Sequence, residues 1–224
     1  MDRNIMKSNL LAKVTKLKYA EDIRAGKLYM NPLSFFRKLE MDGIGDDQEG
    51  LLASGSSGLI KYKGEIIGEM TNIRSYLDFP VFCTLSVQFI RIADNHYKFI
   101  FPQKLLNEFM YDVAEEYVLL LIERSEFQRR IDKALSHLEL QGYLGNVVYT
   151  DDKIVFPVNE MYKVAFRKRH LFSYQNECRL VVNSHVEDHF ELNIGNIEDI
   201  SWQYPIHDAK QEITIEIHYD APNK

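Results

Sequence analysis

The sequence predicts a single α+β domain over residues 1–224, with an antiparallel, strand-rich core and helices concentrated in the first two-thirds. Three observations lead there. Period-two apolar alternation recurs to the end of the chain, at residues 189–194 and 212–217. Helical spacing of apolar residues is confined to stretches before residue 141. Lys63-Gly64 and Asp151-Asp152 each sit between strand-like runs, as the turn of an antiparallel hairpin does. At 224 residues the chain has ample apolar material for a core, and it shows neither a repeat period nor a low-complexity tract.

In chain order, residues 10–18 carry Leu11, Val14 and Leu17 and fit a first strand or a loop leading into a helix. Residues 19–25 read as a short helix, acidic in its early turn, with Gly26 just past its end. Residues 27–30 form a compact strand; Asn31 is placed to cap a second helix and Pro32 suits its first position. That helix, residues 32–40, presents Leu33 and Phe36 on one stripe, with Arg37 and Lys38 opposite. A strand end thrown against a helix start offers backbone N–H groups to anions, which makes residues 29–31 a candidate ligand rim. Residues 43–50 form a glycine-bracketed acidic loop, read as a solvated turn, and the Ser/Gly-rich residues 53–58 read as a flexible loop. Residues 59–62 and 65–70 flank Lys63-Gly64 as a hairpin. Strands at 81–86 and 97–101, a core helix at 103–115 and a continuous apolar strand at 117–122 follow. Ser125 is placed to cap a helix over 126–140. Residues 146–150 and 153–156 make the second hairpin, and 161–166 lead through a basic run into a strand over 172–182.

A formal net charge of −6 excludes a molecule that binds nucleic acid by its overall field. A polyanion needs a local patch, either Arg167, Lys168, Arg169 and His170, or Lys13, Lys16 and Lys18. Cys83 and Cys178 lie in apolar runs and read as buried thiols. The seven histidines are dispersed and form no zinc spacing. No apolar leader or membrane-length run is present, so a cytoplasmic protein without a membrane partner is expected.

The stretch that carries chemistry is residues 172–182. As a strand it places Gln175, Glu177, Arg179 and Val181 on one face and Asn176, Cys178, Leu180 and Val182 on the other. The second face is core; the first aims an amide, a carboxylate and a guanidinium at a cleft or a partner. Two further readings use the same residues. A metal-dependent nuclease would set Asp46, Asp47, Glu49 and Glu177 around magnesium, although the loop spacing departs from a calcium-loop pattern. A non-catalytic interaction module would use the ladder as an interface.

The early strand–helix segment bearing Tyr29 and the late strand bearing Gln175-x-Glu177 resemble the mono-ADP-ribosyltransferase superfamily. Residues 19–30 look like the helix-Gly-strand segment that precedes the nicotinamide pocket there. More narrowly, Phe36-Arg37, residues 45–50, Phe82-Cys83-Thr84 and Tyr174-x-x-Glu177-x-Arg179 resemble a group of bacterial phage-defence toxins. That group includes an mRNA-modifying ADP-ribosyltransferase of a toxin–antitoxin–chaperone system. The resemblance implies an ADP-ribosyltransferase-like fold, NAD as the substrate consumed, RNA as acceptor, and an antitoxin and a chaperone as partners. It implies that Glu177 stabilises the oxocarbenium-like ribosyl centre left when nicotinamide departs, and that Gln175 aligns the acceptor. It assigns Tyr29, Met30, Asn31, Phe36, Arg37 and Arg179 to NAD, and Arg167, Lys168 and Arg169 to RNA; no metal is expected. One departure stands out. The superfamily's first strand supplies an Arg or a His to hold ribose or phosphates, whereas the matching region here offers Lys13, Thr15, Lys16 and Lys18, with Arg37 as a further phosphate ligand.

Overall fold

The computed structural model describes residues 5–39, 46–94, 96–99, 101, 104–105, 116–152, 156–184, 186, 188–205 and 214–216. Every structural statement below concerns these. Most of the helix expected at 103–115 and of the strand expected at 153–156 lies outside them.

The strand that organises the rest is β5 (Pro80–Ala93), preceded by β1 (Ile5–Lys16), α1 (Leu17–Arg24), β2 (Lys27–Pro32), α2 (Leu33–Lys38), β3 (Leu51–Tyr62) and β4 (Glu65–Tyr76). After it come β6 (His96–Phe99), β7 (Tyr117–Glu123), α3 (Arg124–His137), β8 (Gly142–Asn146), β9 (Val148–Tyr149), β10 (Arg167–Lys168), β11 (Glu177–Val182), β12 (Phe190–Asn193), β13 (Ser201–Pro205) and β14 (Thr214–Glu216). Along one edge β5 pairs with β2 and then β1; along the other it pairs with β11 and then β6. A 10-stranded antiparallel sheet grows from it, with β12 beside β2, β7 and β13 beyond β1, and β8 beyond β11. The protein is thus a strand-rich α+β domain, as its sequence predicts.

The main core packs α1 and α3 on one face of this sheet, where Leu11, Leu28, Leu120, Phe127, Ile131 and Leu180 meet. The unbroken apolar run of β7 follows from burial on both faces: Leu120 and Ile122 enter this cluster, and Leu119 and Leu121 enter a second one with Val87 and Phe89. Gly26 closes α1 with φ of 91°, and a Cβ there would lie 2.0 Å from Gly195 O, so only glycine fits this turn into β2.

Several local expectations are corrected by tertiary partners. Neither Asn31 nor Ser125 caps its helix. In α2 the Ser34 N–H donates to Asp78 Oδ1 at 2.7 Å, so the chain's own carboxylate fills the anion position expected at that helix start. In α3 the cap is Glu123, which accepts from Ser125 N and Glu126 N at 3.0 and 2.6 Å, while the Ser125 hydroxyl is engaged with Asn9. Residues 53–58 are strand: β3 pairs with β4 over the length of a separate two-stranded ribbon, and the Ser/Gly run falls at its register shifts. Lys63 and Gly64, with φ of 50° and 89°, make the expected tight turn. β9 joins no hairpin and pairs in parallel with β10.

Candidate active site

β11 begins at Glu177, two residues later than the ladder needs if strand geometry alone is to align it. Residues His170–Gln175 form a 3-10 turn, and Asn176 adopts a left-handed φ of 45°. Asn176 is held there by β5, exchanging hydrogen bonds with Ser86: Asn176 Nδ2 donates to Ser86 O at 2.5 Å and Ser86 N donates to Asn176 O at 2.8 Å. Gln175 therefore still reaches the face of Glu177 and Arg179. Cys178, Leu180 and Val182 enter the main core on the opposite face, as the alternation predicts.

The cleft opens where β1 and β2 part along β5. Between their pairings the β5 edge has no strand partner, and Lys13 Nζ donates to Cys83 O at 2.7 Å across the gap. One cavity, of about 310 Å³, is walled by Phe36, Cys83, Lys168, Gln175, Glu177 and Arg179. A second, of about 840 Å³, is walled by Thr15, Tyr19, Tyr29, Asn31, Phe35 and Phe82. Lys13 belongs to both walls.

Glu177 is 7% exposed. Its Oε1 accepts from Lys168 Nζ and its Oε2 from Arg179 Nε, both at 2.7 Å. The Arg179 guanidinium then grips Glu49 through both oxygens, at 2.8 and 2.7 Å, and donates to Ala165 O at 2.7 Å. Lys168 Nζ also lies 3.4 Å from Glu49. Two buried carboxylates and two buried cations thus cancel. Burial pushes the Glu177 carboxyl up, but the charges and hydrogen bonds of Arg179 and Lys168 outweigh it and hold its pKa at about 2. Burial lowers the pKa of Lys13 and raises that of Cys83 to about 11, so this thiol stays protonated at neutral pH. A carboxylate oxygen has two lone-pair directions, so each Glu177 oxygen keeps one for a further donor from the cavity.

The acidic loop is not a solvated turn. Asp46 and Glu49 are fully buried; Asp46 accepts from Arg169 Nε at 2.6 Å and from the Arg169 and Gln48 N–H groups at 3.0 Å. Asp47 lies 3.1 Å from the same guanidinium. Two of the three cations expected to meet RNA, Lys168 and Arg169, are engaged with acidic residues of the chain itself, while Arg167 stays partly exposed. Lys168 is 5% exposed, Arg169 is tied to Asp46 and Asp47, and Arg167 donates to Asp152 O at 2.7 Å.

Compared with protein-family models, curated proteins and solved structures, the chain matches none of them.

Of the residues expected to hold NAD, Tyr29, Asn31, Phe36 and Arg179 line the cleft. Met30 does not, because the alternation of β2 turns it into the main core at 0% exposure. Arg37 does not either: it donates to Glu49 O at 2.6 Å and stacks over Tyr76, fastening the acidic turn. Tyr29 stacks on His189 with ring centroids 4.5 Å apart. Among the first-strand candidates Lys13 is the one shared by both cavities. Phe35 as a cleft residue and the roles of Glu49 and Lys168 as buried ion-pair partners escaped sequence reasoning. Glu49 carries no local signal, since its partner lies 130 positions away.

Proposed function

We propose that this protein is an NAD-dependent ADP-ribosyltransferase whose acceptor is RNA. The observation that carries the reading is the ionised Glu177 carboxylate in the wall of a cleft that continues past the half-buried Lys13 into a larger aromatic-lined cavity. Volumes of this size suit a small-molecule substrate. NAD brings a ribosyl carbon whose bond to nicotinamide breaks with the electron pair leaving on the ring nitrogen. Glu177 stabilises positive charge at that carbon and accepts from a ribose hydroxyl through its remaining lone pairs. Lys13 stands at the junction as the cation for the phosphates, and Tyr29 and Phe35 offer ring faces. Arg179 and Lys168 keep the carboxylate charged and fixed.

Gln175 is 4% exposed, and its Oε1 has no hydrogen-bond partner among the described residues, an expense that a bound donor would remove. It also lines a cavity of about 240 Å³ on the other edge of β5, with Ser86, Gln88, Ser173 and Asn176 and no charged residue among its described lining. A neutral acceptor group such as a nucleobase suits that lining better than a guanidinium. RNA as the acceptor, toxin action in phage defence, and an antitoxin and chaperone as partners enter through the sequence resemblance. The basic run, with Lys168 and Arg169 already paired to acidic residues, lends them no weight. The nuclease reading loses its ligands, because Asp46, Asp47 and Glu49 are engaged by Arg169 and Arg179. The test is NAD turnover and label transfer to RNA by the purified protein, with Glu177→Ala as control: loss in the variant is expected, and no turnover by the wild type overturns the reading.

A further inference from the structure

The peptide that joins Asn176 to Glu177 is pinned from both sides. Its carbonyl, Asn176 O, accepts from Ser86 N of β5 at 2.8 Å. Its N–H, that of Glu177, donates to the Tyr149 hydroxyl of β9 at 2.8 Å. The second contact is a side chain standing in the place of a ladder partner. β8 ends at Asn146, opposite Cys178, and the Val147 N–H still donates to Glu177 O at 2.9 Å. Beyond that point the pairing stops, and without Tyr149 the Glu177 N–H would be a buried donor left unmatched.

What the pin holds is a strained entry into β11. Asn176 has a left-handed φ of 45°, a conformation that a residue other than glycine keeps where its surroundings over-determine it. The direction of the Glu177 side chain follows from this peptide. Tyr149 is also the register partner of Lys168 in the β9–β10 pair, and Thr150 N donates to Lys168 O at 3.0 Å. That two-stranded unit forms a sheet of its own, and it grips Glu177 at both ends: Tyr149 at the backbone N–H and Lys168 at Oε1 of the carboxylate. The two grips differ in kind. Burial and the neighbouring Glu177 charge raise the Tyr149 pKa, so the phenol is neutral and stands outside the charge balance of Arg179, Lys168 and Glu49. Tyr149 lines neither cavity of the cleft, so its route to the chemistry runs through Glu177.

We infer that Tyr149 is a positioning residue for Glu177: by fastening the Asn176–Glu177 peptide opposite β5, its hydroxyl sets where the carboxylate stands in the cleft. The kinetic consequence rests on the ADP-ribosyltransferase reading; the structural one rests on the hydrogen bond alone.

The experiment compares the full chain with Tyr149→Phe, which removes one oxygen and keeps the ring and the backbone pairing of β9 with β10. Exchange of the Glu177 amide proton, followed by NMR, should quicken by at least about tenfold relative to that of Leu180 in the same strand. With NAD, kcat should fall by at least about tenfold and KM should stay within about twofold, because the carboxylate is misplaced against the ribosyl carbon while the walls of the cleft remain. The acidic limb of the pH profile should stay where it is, since Arg179 and Lys168 still hold the charge. A Glu177 amide protected as in the wild type overturns the inference. So does an unchanged kcat, and so does a raised KM with kcat intact, which would make Tyr149 part of the binding wall. A wild type that turns over no NAD overturns the functional reading instead, and the amide exchange then decides the structural claim by itself. Difluorotyrosine at position 149 keeps the shape and weakens the oxygen as an acceptor; smaller changes of the same sign are expected, and it carries the same test if Tyr149→Phe does not fold.

Discussion

Lys168 Nζ lies 2.7 Å from Glu177 Oε1, and both side chains are almost wholly buried. The middle residue of the only-apparent basic patch is thus a counter-ion of the carboxylate proposed to act on NAD. Lys168→Met should leave Glu177 with Arg179 as its remaining cation and raise its pKa from about 2. The acidic limb of NAD turnover is expected to move to higher pH in this variant, with RNA affinity unchanged. A variant that instead loses RNA affinity and keeps its pH profile would return Lys168 to the role of a nucleic-acid ligand.

The depressed Glu177 pKa also makes a statement about stability. Its folded value, about 2, lies below the ordinary 4.5, so the group's contribution is complete above pH 4.5 and is lost as pH falls from there toward 2. Urea denaturation midpoints should therefore fall with acid in that window, and Glu177→Gln should show a shallower acid slope than the wild type.

Arg179 holds two buried carboxylates at once. Removing it as Arg179→Met leaves Lys168 as the one cation between two buried carboxylates and should cost about 3–5 kcal/mol in urea unfolding. Arg179→Lys should recover little, because an ammonium cannot reproduce the two-oxygen grip on Glu49.

Much of the fold was legible because its signals are local. Gly26 after a short helix, Lys63-Gly64 between two strand runs, and the alternation of Cys178, Leu180 and Val182 each fix backbone geometry within a few residues. The site was legible only in part. Glu177 and Gln175 follow from their motif, yet what makes Glu177 a buried, ionised carboxylate comes from Arg179, Lys168 and Glu49, and no local pattern couples position 49 to position 179. The acidic turn and the basic run look like two solvated charge clusters when read separately; folded, they neutralise each other. Helix caps failed for the same reason. Asp78 reaches α2 from 44 positions away and displaces the cap that Asn31 offers by propensity. The Ser/Gly run became strand because pairing with β4 overrides its loop-like composition.

Tyr29 is half exposed, with His189 on its ring. Tyr29→Ala should leave the melting temperature nearly unchanged and raise the KM for NAD by up to about tenfold through the lost ring face, with a smaller change in kcat. Unchanged KM would remove Tyr29 from the NAD site.

The central claim is that Glu177 supports transfer of ADP-ribose from NAD. Purified protein would be incubated with labelled NAD and total RNA beside Glu177→Ala, following label in RNA, in protein and in free ADP-ribose. The account predicts label in RNA from the wild type and at least about a hundredfold less from the variant. Absence of NAD turnover in every fraction, or turnover that Glu177→Ala leaves intact, would contradict it.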